Sequence, residues 1–211
     1  MPRATWDDAG TRLFHAGVDR GMLYVGANVA VPWSGLTSVT EAPTGGTPQD
    51  YFLDGRKILS VSSSEEFTAK IESFASPLEF APCAGRSEIS PAFYIADQPR
   101  QSFGFSYRTM IGNDVSGVDF AYKVHLVYNA LAQISDFTHG TTTNTANVST
   151  YSWAITTIPV IVTGYKPASH FVADSRTMDP TVLSELEAIL YGDDSNGPRF
   201  LSAQEFLTLT S

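Results

Sequence analysis

The sequence predicts a mainly β fold, a β-sandwich or half-barrel with one long β-hairpin and one flanking α-helix. Two neighbouring runs in the middle of the chain alternate between apolar and polar residues, an Asp-Gly pair separates two apolar runs nearer the N-terminus, and one long segment has clear helical periodicity. The 211 residues suffice for one sizeable core and are few for two full domains. We therefore expect a single domain over residues 1–211.

The N-terminal part of the chain begins with a polar stretch and continues with short β-rich runs. Residues 1–21 are polar and interrupted by glycine, so we expect an N-terminal arm there. Residues 22–31 (MLYVGANVAV) favour strand with a turn at residues 26–28, and residues 36–40 favour another strand. Residues 41–48 (EAPTGGTP) are typical of a loop.

The clearest local signal is Asp54-Gly55, which lies between the runs 51–53 (YFL) and 56–59 (RKIL). Both central positions of a type I′ turn need a positive φ, and Asp-Gly pairs meet that requirement. The sequence therefore predicts a tight β-hairpin here.

Residues 65–74 admit two interpretations. Apolar Phe67, Ala69 and Ile71 alternate with polar residues, which indicates a strand. The opening Ser-Ser-Glu-Glu and the helical spacing of Phe67, Ile71 and Phe74 would also suit a capped helix. The alternation favours the strand.

The strongest β signal comes from residues 101–110 (QSFGFSYRTM) and 120–129 (FAYKVHLVYN), which flank a polar tip at residues 111–119. They predict a long hairpin over residues 101–129, with strands of ~34 Å at about 3.4 Å per residue. If this hairpin is free, we expect strands from other copies of the chain to pair with its exposed backbone edges. A monomeric sandwich that holds the hairpin inside its own sheet is equally compatible with the composition.

The C-terminal part of the chain combines a loop, two strands and two helices. Residues 135–150 are rich in Thr, Asn and Gly and predict an exposed loop, whereas residues 151–162 and 168–174 predict strands. Residues 179–191 predict the main helix, because Asp179 suits the N-cap, Pro180 the first turn, and the following glycine the stop. Residues 200–209 predict a short helix that starts near Ser202.

Charge and composition exclude several classes of protein. Thirteen Lys and Arg against 22 Asp and Glu give a net charge of −9, which disfavours direct binding to the phosphates of nucleic acid. The 43 Ser and Thr provide much of the polarity. No run approaches the roughly 20 apolar residues that cross a bilayer, and we expect no secretory signal at the N-terminus. The single cysteine, Cys83, excludes an intrachain disulfide and suggests a reducing compartment.

No arrangement of residues predicts catalysis, a metal or a cofactor. The histidines His15, His125, His139 and His170 lack metal-ligand spacing, and we expect His125 and His170 to be strand residues with ordinary hydrogen-bond partners. Cys83 has no close basic neighbour and predicts an idle, buried thiol. The cluster of Asn and Asp in the polar tip is more typical of a turn than of a calcium site. We therefore expect a protein without enzymatic activity.

Several stretches, in chain order, resemble the major tail proteins, or tail tube proteins, of siphophages, particularly those of actinobacteria and other Gram-positive hosts. The resemblance runs roughly from residue 12 to residue 206 and includes no catalytic signature, so it implies a role rather than a mechanism. The stretches are residues 16–24 (AGVDRGMLY), 31–36 (VPWSGL), 103–109 (FGFSYRT), 112–114 (GND), 122–128 (YKVHLVY), 164–167 (GYKP) and 186–192 (LEAILYG).

The resemblance implies a virion structural protein with a tail-tube-type fold. In that family, hexameric rings stack around a lumen that carries DNA, and a long hairpin helps to close the inner barrel. Here residues 101–129 would be that hairpin, and residues 179–191 the flanking helix. The residues that the resemblance then places at subunit interfaces are Tyr107, Arg108, Asn113, Asp114, Asp119 and Tyr122.

The resemblance also implies the partners and the location of the protein. It would bind copies of itself and the terminator, tape measure and distal tail proteins, and it would belong to the virion tail after assembly in the host cytoplasm. DNA would pass the lumen without specific binding, since negative potential repels phosphate. No cofactor and no membrane is implied.

Two other functions stay open. The chain could be another tail component, such as a distal tail, terminator or minor tail protein. It could instead be a β-sandwich module that binds carbohydrate through Trp33, Trp153 and tyrosine rings, although such aromatic residues more often belong to a core.

Overall fold

The structure, a computed structural model, describes residues 5–141 and 148–210, and most of its regular elements are β-strands, as predicted. Residues 1–4 of the predicted arm, residues 142–147 of the predicted loop and residue 211 lie outside the described residues. The strands are β1 (Leu13–Val25), β2 (Val29–Pro32), β3 (Leu36–Glu41), β4 (Thr44–Gly45), β5 (Pro48–Leu53), β6 (Arg56–Ser62), β7 (Glu65–Glu66), β8 (Thr68–Ser73), β9 (Ser87–Ser90), β10 (Phe93–Ile95), β11 (Phe103–Asn113), β12 (Gly117–Ala132), β13 (Tyr151–Thr157) and β14 (His170–Asp174). The helices are a 3₁₀ turn (Leu78–Phe80), α1 (Pro180–Tyr191) and α2 (Ala203–Leu209).

The largest sheet places the long hairpin at its centre. Its strand order is β2-β1-β11-β12-β13-β8-β3, and β14 also pairs with β12. The hairpin strands β11 and β12 pair from Phe103 opposite Ala130 to Asn113 opposite Gly117. Strand β1 covers the outer edge of β11, and β13 and β14 cover that of β12. The predicted hairpin is confirmed, and of the two alternatives left open by the sequence, the hairpin inside the chain's own sheet is the one observed along β11 and along β12 from Lys123 onwards.

The N-terminal arm is shorter than predicted, because strand β1 already begins at Leu13. This strand pairs with β11 from Leu13 opposite Asn113 to Val25 opposite Phe103. Two irregularities interrupt the pairing, between Ala16 and Val18 and between Asp19 and Met22. Each irregularity breaks the alternation of side chains between the two faces, so the strand has no period-2 signature in the sequence.

Two apolar clusters cover opposite faces of the central strands. On one face, β1, β11 and β12 pack against β8, β13 and the 3₁₀ turn, with Trp33 and Trp153 at the centre. On the other face, β12 and β14 pack against the two C-terminal helices through Leu126, Leu186 and Leu190. The fold therefore has three layers, and both faces of the hairpin strands are covered.

Several smaller predicted elements are confirmed, but the loop predicted over residues 41–48 contains β4 and the start of β5, and the strand predicted over residues 151–162 ends at Thr157. Residues 68–73 form a strand rather than a helix. The Asp179 carboxylate accepts a hydrogen bond of 2.8 Å from the Thr181 amide at the start of α1. Ser202 and Glu205 form a reciprocal capping box at the start of α2. Among the described residues, no helix has the length and apolar content to cross a membrane.

Candidate functional site

One β-hairpin leaves the body of the molecule and exposes apolar side chains on both of its outer strands. Strands β3 and β8 pair up to Glu41 opposite Ala69, and the intervening chain continues the ladder through β4 with β7 and β5 with β6. We call residues 42–66 the projecting hairpin. At about 3.3 Å per residue, its twelve steps from Glu41 to Leu53 extend over ~40 Å. Within the described chain, β5 and β6 pair only with each other.

The tip of the projecting hairpin confirms the predicted Asp-Gly turn. Asp54 and Gly55 have φ values of 46° and 75°, both in the left-handed region that a type I′ turn requires. The turn matches the twist of the flanking strands, so it fixes their register locally. The sequence predicted the turn but not that its strands leave the sheet.

One face of the projecting hairpin groups apolar side chains around its middle, whereas the other carries Asp50 and Ser60 beside Phe52. Cross-strand partners share a face, so Tyr51 and Leu59 lie together, as do Gln49 and Val61 on the same side. The side chains of Tyr51, Leu59 and Val61 are 48, 53 and 49% exposed. We call these three the apolar strip.

On the opposite face of the projecting hairpin, Asp50 Oδ1 accepts a hydrogen bond of 2.6 Å from Ser60 and lies 2.7 Å from Lys57 Nζ. An isolated two-stranded hairpin is only marginally stable in water, and the apolar strip is not covered by the rest of the described chain. The apolar strip is therefore a candidate contact surface for another molecule.

The six residues predicted at subunit interfaces do not form one patch. Tyr107 is fully buried and its hydroxyl donates a hydrogen bond of 2.7 Å to Glu41 Oε1. Arg108 points towards the other face, where it makes two hydrogen bonds to Asp19 and lies 4.6 Å from the centre of the Tyr122 ring. Three of the six are thus engaged within the chain, and their interface role stays a prediction.

The remaining three predicted interface residues lie at the tip of the β11–β12 hairpin. Asn113 is buried, and its side-chain oxygen accepts from the amides of Val115 and Ser116, which closes the turn as predicted. Asp114 accepts a hydrogen bond of 2.8 Å from the Gly10 amide. Asp119 is exposed. Within the described part of the chain, the Asp119 side chain makes no hydrogen bond or ion pair, unlike those of Asn113 and Asp114.

A polar cluster that the sequence did not reveal lies beneath the root of the projecting hairpin. It consists of Glu41 at the end of β3, His125 on β12 and His170 on β14. His125 Nδ1 lies 3.0 Å from His170 Nε2 and 3.4 Å from Glu41 Oε1. We call these residues the Glu-His-His cluster. Their potential ligand atoms all lie within 4.8 Å of one another.

Strand register creates the Glu-His-His cluster. His125 pairs with Val172 and His170 pairs with Val127, so the two imidazoles are diagonal neighbours on one face. The sequence places these histidines 45 residues apart, on strands whose pairing it does not specify. The only signal in the sequence was that each histidine lies in a segment of alternating apolar and polar residues. This alternation does not show which strands pair with each other.

Burial sets the protonation of the Glu-His-His cluster. Desolvation lowers the pKa of His125 and that of His170, and the charge of Glu41 opposes this in both. Two neutral imidazoles beside a carboxylate are donor types that bind transition metals. Among the described residues, this is the one cluster with three such groups in reach of a single ion.

Two other expectations concern single side chains. Cys83 is buried, as predicted, and burial raises the pKa of its thiol to about 12. Trp33 and Trp153 are only 2 and 4% exposed and pack edge-on against each other. Because neither ring can reach a sugar, the proposal that they form carbohydrate-stacking platforms is wrong.

Comparison with known proteins gives no assignment by sequence: no family model and no curated protein matches the chain. Among solved structures, the tube-terminating cap of the anti-feeding prophage covers 83% of this chain and 97% of its own, at 9% identity and a TM-score of 0.39. The baseplate of the same prophage covers 81% and 97%, at 10% identity and a TM-score of 0.39. Sequence identities and TM-scores this low do not establish a shared fold.

Proposed function

We propose that the chain is a structural subunit of a phage tail, and specifically the tail tube subunit of a long-tailed, non-contractile phage. Copies would form stacked hexameric rings around a lumen through which DNA passes. The observation that carries the proposal is the projecting hairpin, a two-stranded element whose apolar strip has no cover within the described chain. The sequence resemblance to siphophage tail tube proteins supports the same role.

A neighbouring copy of the chain is the occupant we propose for the apolar strip. Residues 48–62 contain two acidic and two basic residues, whereas the whole chain has a net charge of −9. This outer part of the projecting hairpin is neutral, although Glu65 and Glu66 at its root are acidic, so it approaches a second copy of an acidic molecule with little repulsion. Burial of apolar side chains then contributes about 25 cal/mol per Å².

The acidic composition suits a channel for DNA. An excess of Asp and Glu around a lumen repels phosphate, so DNA slides without binding. Under this proposal the protein has no catalytic activity and belongs to the virion tail, where it contacts the terminator, tape measure and distal tail proteins.

Electron microscopy of the purified chain and of virions tests the proposal. We expect stacked rings with six-fold symmetry, and a chain that stays monomeric at high concentration and with its tail partners would contradict it. Copy number in the virion separates the tube from the other tail components. A tube subunit is among the most abundant virion proteins, whereas a terminator, distal tail or minor tail protein is scarce.

A further inference from the structure

The fold brings the three side chains of the Glu-His-His cluster within reach of a single metal ion. Its three ligand atoms come from three strands, β3, β12 and β14. Ligands of a tetrahedral Zn²⁺ at 2.0–2.1 Å stand about 3.3 Å apart. His125 Nδ1 is 3.0 Å from His170 Nε2 and 3.4 Å from Glu41 Oε1, so two of the three separations already match.

We propose that Glu41 Oε1, His125 Nδ1 and His170 Nε2 bind a divalent transition-metal ion, with Zn²⁺ as the best fit. Imidazole and carboxylate together suit Zn²⁺, whereas Ca²⁺ and Mg²⁺ take oxygen ligands almost throughout. Glu41 is 38% exposed at its side chain, so it can swing the short distance that closes the third separation. Water completes the fourth position.

Hydrogen bonds from neighbouring side chains already orient two of the ligands. Thr109 Oγ1 lies 2.9 Å from His125 Nε2, which leaves Nδ1 of that ring to face the site. The hydroxyl of Tyr107 donates to Glu41 Oε1 and its ring stacks on His125 with an interplanar angle of 6°. Outer partners of this kind fix the tautomer and the ring orientation in metal sites.

The contact between the two imidazoles explains what the ion would replace. His125 Nδ1 and His170 Nε2 lie 3.0 Å apart and form a hydrogen bond, so one of the two nitrogens carries the hydrogen between them. In the tautomer with Nε2–H of His125 donating to Thr109, His170 Nε2–H donates to His125 Nδ1. Metal binding needs the lone pairs of both nitrogens, so His170 moves its proton to Nδ1 and the ion takes the place of the shared hydrogen.

A bound ion would link the end of β3 to the paired strands β12 and β14. Glu41 is the last residue of β3, directly before the projecting hairpin, and His125 and His170 belong to strands that pair with each other. The ion therefore stabilises the native state relative to the unfolded chain, in which the three ligands are far apart. This inference does not depend on the proposed tail function.

Calorimetric titration of the untagged, EDTA-stripped full chain with Zn²⁺ tests the site. We expect one ion per chain, with a dissociation constant in the micromolar range or below, and a rise in the thermal midpoint that EDTA reverses. Substitution of Co²⁺ should give the intense visible absorption of a four-coordinate ion with imidazole ligands. Absence of saturable binding at one ion per chain overturns the proposal.

Three variants locate the site. Glu41→Gln keeps an acceptor for Tyr107 and removes the anionic ligand, and His170→Gln removes a nitrogen ligand; each should weaken Zn²⁺ binding at least about 100-fold, more than the loss of an outer partner. His139→Gln, a histidine outside the cluster, is the matched control and should bind as the wild type does. Circular dichroism in EDTA verifies the fold of each variant. Wild-type affinity in folded Glu41→Gln, or loss of binding in His139→Gln, overturns the assignment.

Discussion

The phenol of Tyr107, at the centre of the long β11–β12 hairpin, donates a hydrogen bond of 2.7 Å to the carboxylate of Glu41 at the end of β3. Strand β3 is the last strand of the sheet order and β11 lies near its centre, so this bond joins two layers of the fold across the apolar cluster. It also fixes the point at which the projecting hairpin leaves the body. Burial and the negative charge of Glu41 raise the pKa of Tyr107 far above its usual range, so the phenol stays a donor.

Replacement of Tyr107 by Phe should destabilise the protein. The variant removes a hydrogen bond to a charged acceptor, which contributes roughly 1.5–3 kcal/mol, although Glu41 regains some hydration because it is partly exposed. Urea unfolding measures the loss. Tyr165→Phe, at a ring that is 72% exposed, is the control and should change stability by less than about 0.5 kcal/mol. Equal effects of the two variants would show that the bond contributes nothing.

Replacement of Leu186 by Asp tests the packing of α1 on the sheet. Leu186 is fully buried in the cluster between α1, α2 and the central strands, so an unpaired carboxylate there should cost roughly 3 kcal/mol or more. Ser184→Asp adds the same charge on the exposed side of α1 and serves as the control. Thermal melts compare the two. An unchanged midpoint in Leu186→Asp would mean that the helix is not packed.

The thiol of Cys83 should resist modification in the native protein. It is buried, and burial raises its pKa to about 12, so almost no thiolate exists at pH 8. We expect reaction with a chromogenic disulfide reagent to be slow in buffer and fast in denaturant. Native-state reaction as fast as that of a free small-molecule thiol would contradict the burial.

The stability difference between the wild type and Asp174→Asn should depend on pH. Hydrogen bonds from Arg176, and its charge together with that of Lys123, lower the pKa of Asp174 from 3.8 to about 2. A lowered folded-state pKa contributes stability above the unfolded value, and the contribution disappears as pH falls through the folded value. The wild type should therefore be the more stable at pH 7, by a small amount because Asp174 is near the surface.

Urea unfolding at several pH values checks this titration. The advantage over Asp174→Asn should shrink between pH 3.8 and about 2. Asp119→Asn, at an exposed tip residue, controls for the change of net charge. A difference between wild type and Asp174→Asn that stays constant across this window would contradict the ion-pair account.

Local signals in the sequence were sufficient for several turns, helices and strands, but they did not show which strands pair with each other, and they missed the first half of β1. Asp54-Gly55 and Asp179-Pro180 specify a turn and a helix start through their own backbone preferences, so both were predictable. The strand pairings depend on contacts between distant segments. That is why the sequence left open whether the long β11–β12 hairpin is free or lies inside its own sheet, where β1 and β14 flank it.

The candidate sites show the same limit. The apolar strip looked like one half of an ordinary sheet hairpin, since alternation does not reveal whether a strand has a layer to pack on. The Glu-His-His cluster exists only through the register between β12 and β14 and the fold of β3 over them. Neither relationship has a local signature.

Sedimentation velocity across a concentration series tests most directly whether copies of the chain complete the projecting hairpin. The test variant, Leu59→Asp with Val61→Asp, charges the apolar strip, and the control, Leu59→Met with Val61→Ile, keeps it apolar. We predict that the wild type and the control assemble beyond the 22.8 kDa monomer, whereas the folded test variant does not. Assembly of the test variant at the wild-type concentration, or a wild type that stays monomeric throughout, would contradict the account.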